Sequence, residues 1–145
     1  MDIQTLKDEH RALLELRSQM LALIDDADRP SPQIASLRWR FSRVLLTHLA
    51  REDTHLYPPL RAAGDPKLAT LAVRYERDMG DIAPLWHAFI ADWPSDRIAR
   101  EWSVFQQAAR LILQALHTRI ICEERDLYPP YAALFPSASS LPRAG

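Results

Sequence analysis

The chain uses one stretch twice, and that repetition constrains the fold more than any other feature. Residues 48–60 read HLAREDTHLYPPL and residues 119–131 read RIICEERDLYPPY. At an offset of 71 positions they share Glu52/Glu123, Leu56/Leu127, Tyr57/Tyr128, Pro58/Pro129 and Pro59/Pro130. The acidic pair Glu52-Asp53 recurs as Glu123-Glu124, and Leu37, Phe41 and Leu45 fall on Ala108, Ile112 and Leu116. Apolar spacings of three and four mark one face of a helix. A proline pair stops or kinks a helix, because proline has no N–H to donate and crowds the preceding turn. Each half of the chain is therefore expected to be a helix pair ending in the same carboxylate-bearing turn.

The remaining sequence supplies the partners. Helix 1 is expected from about Ile3 to Ile24, with Leu6, His10, Leu13, Leu14, Met20 and Leu21 on one stripe, stopping at the Asp25-Asp26 acids that oppose the dipole at a helix C-terminus. Helix 2 starts near Ser31-Pro32, a cap followed by a first-turn proline, and carries Ile34, Leu37/Arg38, Phe41, Leu45, His48/Leu49, Glu52 and Leu56. Helix 3 is expected from about Lys67 to Ala91 as one helix bent at Gly80 and Pro84, with two shorter helices as the alternative. Helix 4 follows Trp93-Pro94, capped by Ser95 or Asp96, and its stripe runs from Ile98 to Leu127. Nothing alternates with period two. Four long helices on short loops predict an all-α, up-down-up-down antiparallel four-helix bundle over residues 1–134, with 135–145 a flexible tail.

Composition sets the boundaries of function. A net charge of −1 over 145 residues, with the signs interspersed, offers no electrostatic footprint for nucleic acid or an anionic membrane. No apolar run approaches the ~20 residues of a membrane span. The N-terminus lacks the basic and apolar segments of a signal peptide. The single cysteine, Cys122, cannot form an internal disulfide, so a cytoplasmic setting is expected. There is no nucleophile triad and no phosphate-binding loop.

Chemistry concentrates on the inward stripes. They carry His10, His48, Glu52, Asp78, Arg119 and Glu123, at least one from each helix. His48 and Glu52 stand at i and i+4, roughly 6 Å apart on one face, where an imidazole and a carboxylate can share a metal ion. In an antiparallel bundle the start of helix 1 and the ends of helices 2 and 4 converge at one end; Asp78 lies nearer the middle of helix 3. Imidazoles and carboxylates converging inside a four-helix bundle are the way non-haem iron and manganese sites are built. The second copy departs at one position: His48 becomes Arg119, which stays protonated and cannot ligate. His55 sits on the face of Glu52 and is a possible extra ligand. Arg119, Arg38, Tyr57 and Tyr128 are expected to surround the ligands and balance their charge. His87 and His117 read as surface residues, the tryptophans as packing, and Cys122 as half-buried.

These residues resemble the hemerythrin-like (HHE cation-binding) family over roughly residues 1–131. The resemblance is carried by His10 in KDEHRALLELR, by His48 and Glu52 in LLTHLAREDTHLYP, and by Glu123 in EERDLYP. It implies a bundle that holds two irons through histidines and bridging carboxylates. His10, His48 and Glu52 match that pattern, and Glu123 matches the helix-4 carboxylate. The helix-4 histidine is replaced by Arg119. The histidine pair expected on helix 3 is missing, with Asp78 near its place. With three acids against one arginine, the stripes match one divalent ion, and Arg119 stands in for the second. The implied function is binding of one or two non-haem irons, with sensing or binding of dioxygen, nitric oxide or iron itself, and a homodimer is possible. The alternatives are a metal-free bundle with a salt-bridged core that serves protein interaction, and a di-iron oxidase, for which ligands are short.

Overall fold

The structure, a computed structural model, describes residues 1–25 and 28–136. Its helices run in the order α1 (Ile3–Asp25), α2 (Gln33–His55), α3 (Tyr57–Arg61), α4 (Pro66–Met79), α5 (Ile82–Asp92), α6 (Ser95–Arg100), α7 (Trp102–Asp126) and α8 (Tyr128–Leu134), and no strand is present among the described residues. α1 packs on α2 and α7, and α5 packs on the same two, which closes a square of four neighbours. Side-chain pairings show each neighbour running opposite to the next. His10 near the start of α1 faces His48 near the end of α2, and Asp25 at the end of α1 meets Arg110 near the start of α7. Phe89 late in α5 stacks on Phe105 early in α7. The expected antiparallel four-helix bundle is the fold. No helix among the described residues is long and apolar enough to cross a membrane.

The proline turns act as the sequence requires. α2 ends at His55 and a short helix resumes at Tyr57; α7 ends at Asp126 and resumes at Tyr128. In both copies the prolines fall in the first turn of the new helix, where the missing N–H has no intrahelical partner to lose. α4 is capped by Asp65, whose carboxylate accepts from the backbone N–H of Lys67 and Leu68, with Pro66 at its first position.

Three expectations about boundaries change. Helix 3 is not one bent helix: it breaks between Met79 and Ile82. Pro84 removes a donor and crowds the carbonyl of Gly80 four residues back, so the ladder cannot run through. A Cβ on Gly80 would lie 2.2 Å from the Glu76 carbonyl oxygen, so only glycine makes this turn. Helix 4 likewise begins with the short α6, led in by Pro94 rather than capped by Ser95 or Asp96, and restarts after Glu101. Ser31 accepts from the Gln33 N–H, as a cap does, although the helix starts one residue later than expected. Most of the proposed tail, residues 137–145, lies outside the described residues.

Two apolar clusters organise the interior. The larger includes Leu13, Phe41, Leu45, Trp86, Phe89, Phe105 and Leu116; the smaller includes Leu6, Leu56, Leu60, Tyr75, Leu127 and Tyr131. Burial at these sites is close to complete, and truncation of Phe41 or Trp86 to alanine costs about 3–5 kcal/mol. The seam between the clusters falls where α1, α2 and α7 place polar residues. His10 follows Leu6 and precedes Leu13; Glu52 lies between Leu49 and Leu56; Glu123 lies between Ile120 and Leu127. Trp39 is the exception among the tryptophans: it is 62% exposed, under the Arg43 guanidinium.

Candidate metal centre

Helical spacing makes the seam. His10, His48, Glu52, Arg119 and Glu123 occupy the same stripe positions as the leucines around them, so they are buried for the same reason. An imidazole or carboxylate at 0–1% exposure is costly unless its polar atoms are met.

The histidines are oriented from behind. His10 Nδ1 lies 3.0 Å from Glu124 Oε1, and His48 Nδ1 lies 3.0 Å from Glu9 Oε1. An ionised carboxylate only accepts, so each Nδ1 carries a proton, and each Nε2 is turned toward the centre, where it can ligate when the imidazole is neutral. Arg51 holds Glu9 in turn. In front, His48 Nε2 is 3.2 Å from Glu52 Oε1, and His10 Nε2 is 3.3 Å from Glu123 Oε1 and 3.8 Å from Glu52 Oε2. One donor atom from each of His10, His48, Glu52 and Glu123 lies within 4.8 Å of all the others.

The two copies of the turn are cross-wired. Tyr57 of the first copy donates to Glu123 of the second at 2.6 Å, and Tyr128 of the second donates to Glu52 of the first at 2.8 Å. Tyr128 also stacks on the His10 ring, with its oxygen 2.9 Å from Nε2. Its single proton cannot serve both neighbours. Arg119 joins the two carboxylates: Nη2 donates to Glu52 and Nε to Glu123, each at 3.1 Å, while Nη1 donates to the Met79 carbonyl at 2.9 Å. The α4–α5 break leaves that carbonyl without a helical donor, and Arg119 supplies one.

Electrostatics divide the carboxylates. Burial pushes the Glu52 carboxyl up, but the His48 imidazole and the Arg119 guanidinium beside it outweigh that, so Glu52 is held far below the usual range. Glu123 moves up, because burial and the Glu52 charge outweigh the Arg119 guanidinium. His48 is desolvated, yet Glu52 and then Glu123 and Glu9 hold its proton above the ordinary imidazole value. Burial favours loss of the Arg119 proton, but Glu123 and Glu52 reverse that and lock it charged. Burial and the nearby acids push both Tyr57 and Tyr128 well above the usual phenol value.

The donor set fits a metal ion. An ion about 2.1 Å from each ligand separates adjacent donors by about 3 Å and opposite ones by about 4.2 Å. The contacts among these donors, 3.2, 3.3 and 3.8 Å, fall in that range. Two atoms of the set, His48 Nε2 and Glu123 Oε1, are buried without any hydrogen-bond partner. A neutral His48 Nε2 and an ionised Glu123 Oε1 would both be satisfied by a cation placed among the four donors.

Three residues read as ligands or companions lie elsewhere. Asp78 is half-exposed and paired with Arg77, because the buried stripe of α4 runs Leu68, Ala72, Tyr75 and leaves position 78 on the flank. His55 is exposed at the last position of α2 and is not among the four clustered donors. Arg38 is buried but far from the acids: fourteen residues before Glu52 is about 21 Å along a helix. Its guanidinium sits 6.0 Å from the Phe105 ring centroid instead. His87 is exposed and Cys122 half-buried, as expected. Glu9 and Glu124 were missed. Each lies next in sequence to a stripe residue and reaches a histidine on another helix. Four carboxylates (Glu9, Glu52, Glu123, Glu124) face two arginines (Arg51, Arg119) here, a formal excess of two negative charges when all are ionised.

With this geometry in place, the comparison with known families is direct. The family model described as the hemerythrin HHE cation binding domain matches residues 1–131. The chain belongs to that family. Neither the curated proteins nor the solved structures compared with the chain gave a match.

Proposed function

We propose that the protein binds one non-haem iron ion through His10, His48, Glu52 and Glu123, and that Arg119 occupies the electrostatic role of a second ion. The observation that carries this reading is the pair of unpartnered buried atoms, His48 Nε2 and Glu123 Oε1, within a four-donor cluster. Two imidazoles and two carboxylates suit a divalent first-row metal. A six-coordinate ion on four protein donors has about two positions left, which suits water or a small diatomic molecule such as dioxygen or nitric oxide. The chain's own contribution is to orient both imidazoles, exclude bulk water and supply fixed positive charge at Arg119. This supports a binding or sensing role over multi-electron oxidation.

The rival is a metal-free core, and its supporting observation is Arg119 bonded to both carboxylates. One experiment separates the two. Metal content per chain is measured by mass spectrometry on protein prepared anaerobically with iron supplied, beside His48→Ala and Glu52→Ala. About one iron per chain, lost in both variants, supports the proposal. No metal, and a melting temperature indifferent to chelator and to added Fe²⁺, establishes the salt-bridged core, because an ion that binds only the native state must stabilise it.

A further inference from the structure

α7 leaves one face uncovered, on the side away from α1. It meets α1 through Arg110, which reaches Asp25, and through Glu124, which reaches His10. The uncovered face carries no charge over about five turns. Positions 101, 104, 108, 111, 115, 118, 122 and 125 alternate steps of three and four, and the inner ones are Val104, Ala108, Leu111, Ala115, Thr118 and Cys122. None of these is buried; Leu111 is 74% exposed and Val104 46%. Solvated faces elsewhere differ: α1 exposes Lys7, Asp8, Arg11 and Glu15, and α2 exposes Arg40, Arg43 and Arg51. A seam of alternating three and four is the period at which one helix lies along another.

The seam is complementary to itself when reversed. A two-fold axis at the level of Leu113 sets Leu111 of one copy opposite Ala115 of the other, a large side chain against a small one. The same axis sets Ala108 opposite Thr118, Val104 opposite Cys122 and Glu101 opposite Arg125, each pair occurring twice. Charge therefore appears only at the two ends, and there the signs are opposite. A parallel pairing would set Glu101 on Glu101 and Arg125 on Arg125. The side chains of Glu101 and Arg125 are 43% and 64% exposed, and their neighbours in the chain, Arg97 and Asp126, form surface pairs that exchange at little cost. Arg119 and Glu123 follow Thr118 and Cys122 directly, so the same helix turns this face outward and part of the metal centre inward.

We propose that this face of α7 pairs two copies of the chain, antiparallel and two-fold, with Leu111 and Ala115 at its centre. The contact is one helix wide, smaller than the about 800 Å² per partner of a standard complex, so the dimer is weak and forms as concentration rises. The test is sedimentation equilibrium of the full chain under reducing conditions, from about 10 μM to about 1 mM. The parent is expected to pass from monomer to dimer over that range. Leu111→Glu sets two acids close to the axis and is expected to weaken association at least about tenfold, with the melting temperature of the dilute protein unchanged. Glu101→Lys should weaken association by roughly threefold, and adding Arg125→Glu should restore it. Oxidation of Val104→Cys reads the register. Its introduced thiol lies opposite the native Cys122, so covalent dimers are expected; in the parent the two Cys122 side chains lie about 27 Å apart along the axis, and none are expected. A parent that stays monomeric throughout gives the face to a different partner and overturns the proposal. So does a dimer indifferent to Leu111→Glu, a double variant no tighter than Glu101→Lys, or a parent that cross-links as readily as Val104→Cys. If Leu111→Glu fails to fold, the cross-linking of Val104→Cys decides alone: its absence sinks the idea.

Discussion

The two copies of the carboxylate turn share a backbone relation and differ at the position four residues before the buried glutamate. In the first, His48 Nε2 lies 3.2 Å from Glu52 four residues later; in the second, Arg119 Nε lies 3.1 Å from Glu123 four residues later. The i,i+4 geometry is the same. The imidazole can give up its proton and offer a lone pair, whereas the guanidinium fills the equivalent space with a charge that never dissociates. Each choice spreads to its surroundings. Glu52 is held ionised between His48 and Arg119, while Glu123 is pulled toward its protonated form by burial and by Glu52. One exchange in a repeated motif thus turns two equal carboxylates into unequal ones.

The sharpest way to break this comparison is to neutralise each carboxylate in turn. Glu52→Gln leaves Arg119 facing an amide and should destabilise the ion-free protein by about 3–5 kcal/mol; Glu123→Gln, whose parent is already pulled toward neutrality, should cost about 1–3 kcal/mol. Equal losses in denaturant melts would erase the asymmetry. Next, Arg119→His makes the second copy resemble the first. Metal content should rise from about one ion per chain toward two, at some cost in ion-free stability, because a neutral imidazole replaces a buried cation. An unchanged metal count would mean that Arg119 does not stand in for an ion. Smaller effects are expected from the crossed tyrosines. Tyr128→Phe and Tyr57→Phe should each cost about 1–2 kcal/mol by calorimetry, with Tyr128 the larger because its oxygen also meets His10. Smallest is the pH response. In the ion-free protein the His48 pKa is raised above its ordinary 6.5, so its contribution is fully present below 6.5 and fades as pH rises through the folded value. A bound ion needs His48 neutral and Glu123 ionised, which reverses that sign. The stabilisation given by added Fe²⁺, read as a thermal shift, should therefore grow from pH 6 to pH 8; a shift that shrinks over that range would contradict ligation by these groups.

Much of this was legible in the sequence because it depends on local spacing. Stripes at three and four residues gave the helices. The same period places His10, His48, Glu52, Arg119 and Glu123 among leucines that must face inward. The doubled LYPP turn marked the helix ends. Legibility stopped where position depends on phase along an interrupted helix or on a neighbour. Asp78 lay within the window read as a stripe, yet the break at Gly80 and the phase set by Tyr75 turn it outward. Arg38 has the right phase but the wrong height. Glu9 and Glu124 point across to a different helix from the one that carries them, so no periodicity along one helix reveals their histidines. The tyrosine crossing is likewise a property of how the two hairpins dock.

That crossing bears on what each half could do alone. Suppose the two helical hairpins were separate, identical subunits. Each tyrosine would then cap its mate's carboxylate, which is the reciprocal contact of a two-fold dimer. In such a dimer no single ligand could change: an arginine at one copy would appear at both, leaving two fixed cations and no imidazole on that helix. Covalent linkage of the halves lifts this restriction. Because Tyr57 serves Glu123 and Tyr128 serves Glu52 within a single polypeptide, one half can specialise in holding an ion and the other in holding charge, and neither carboxylate loses its cap.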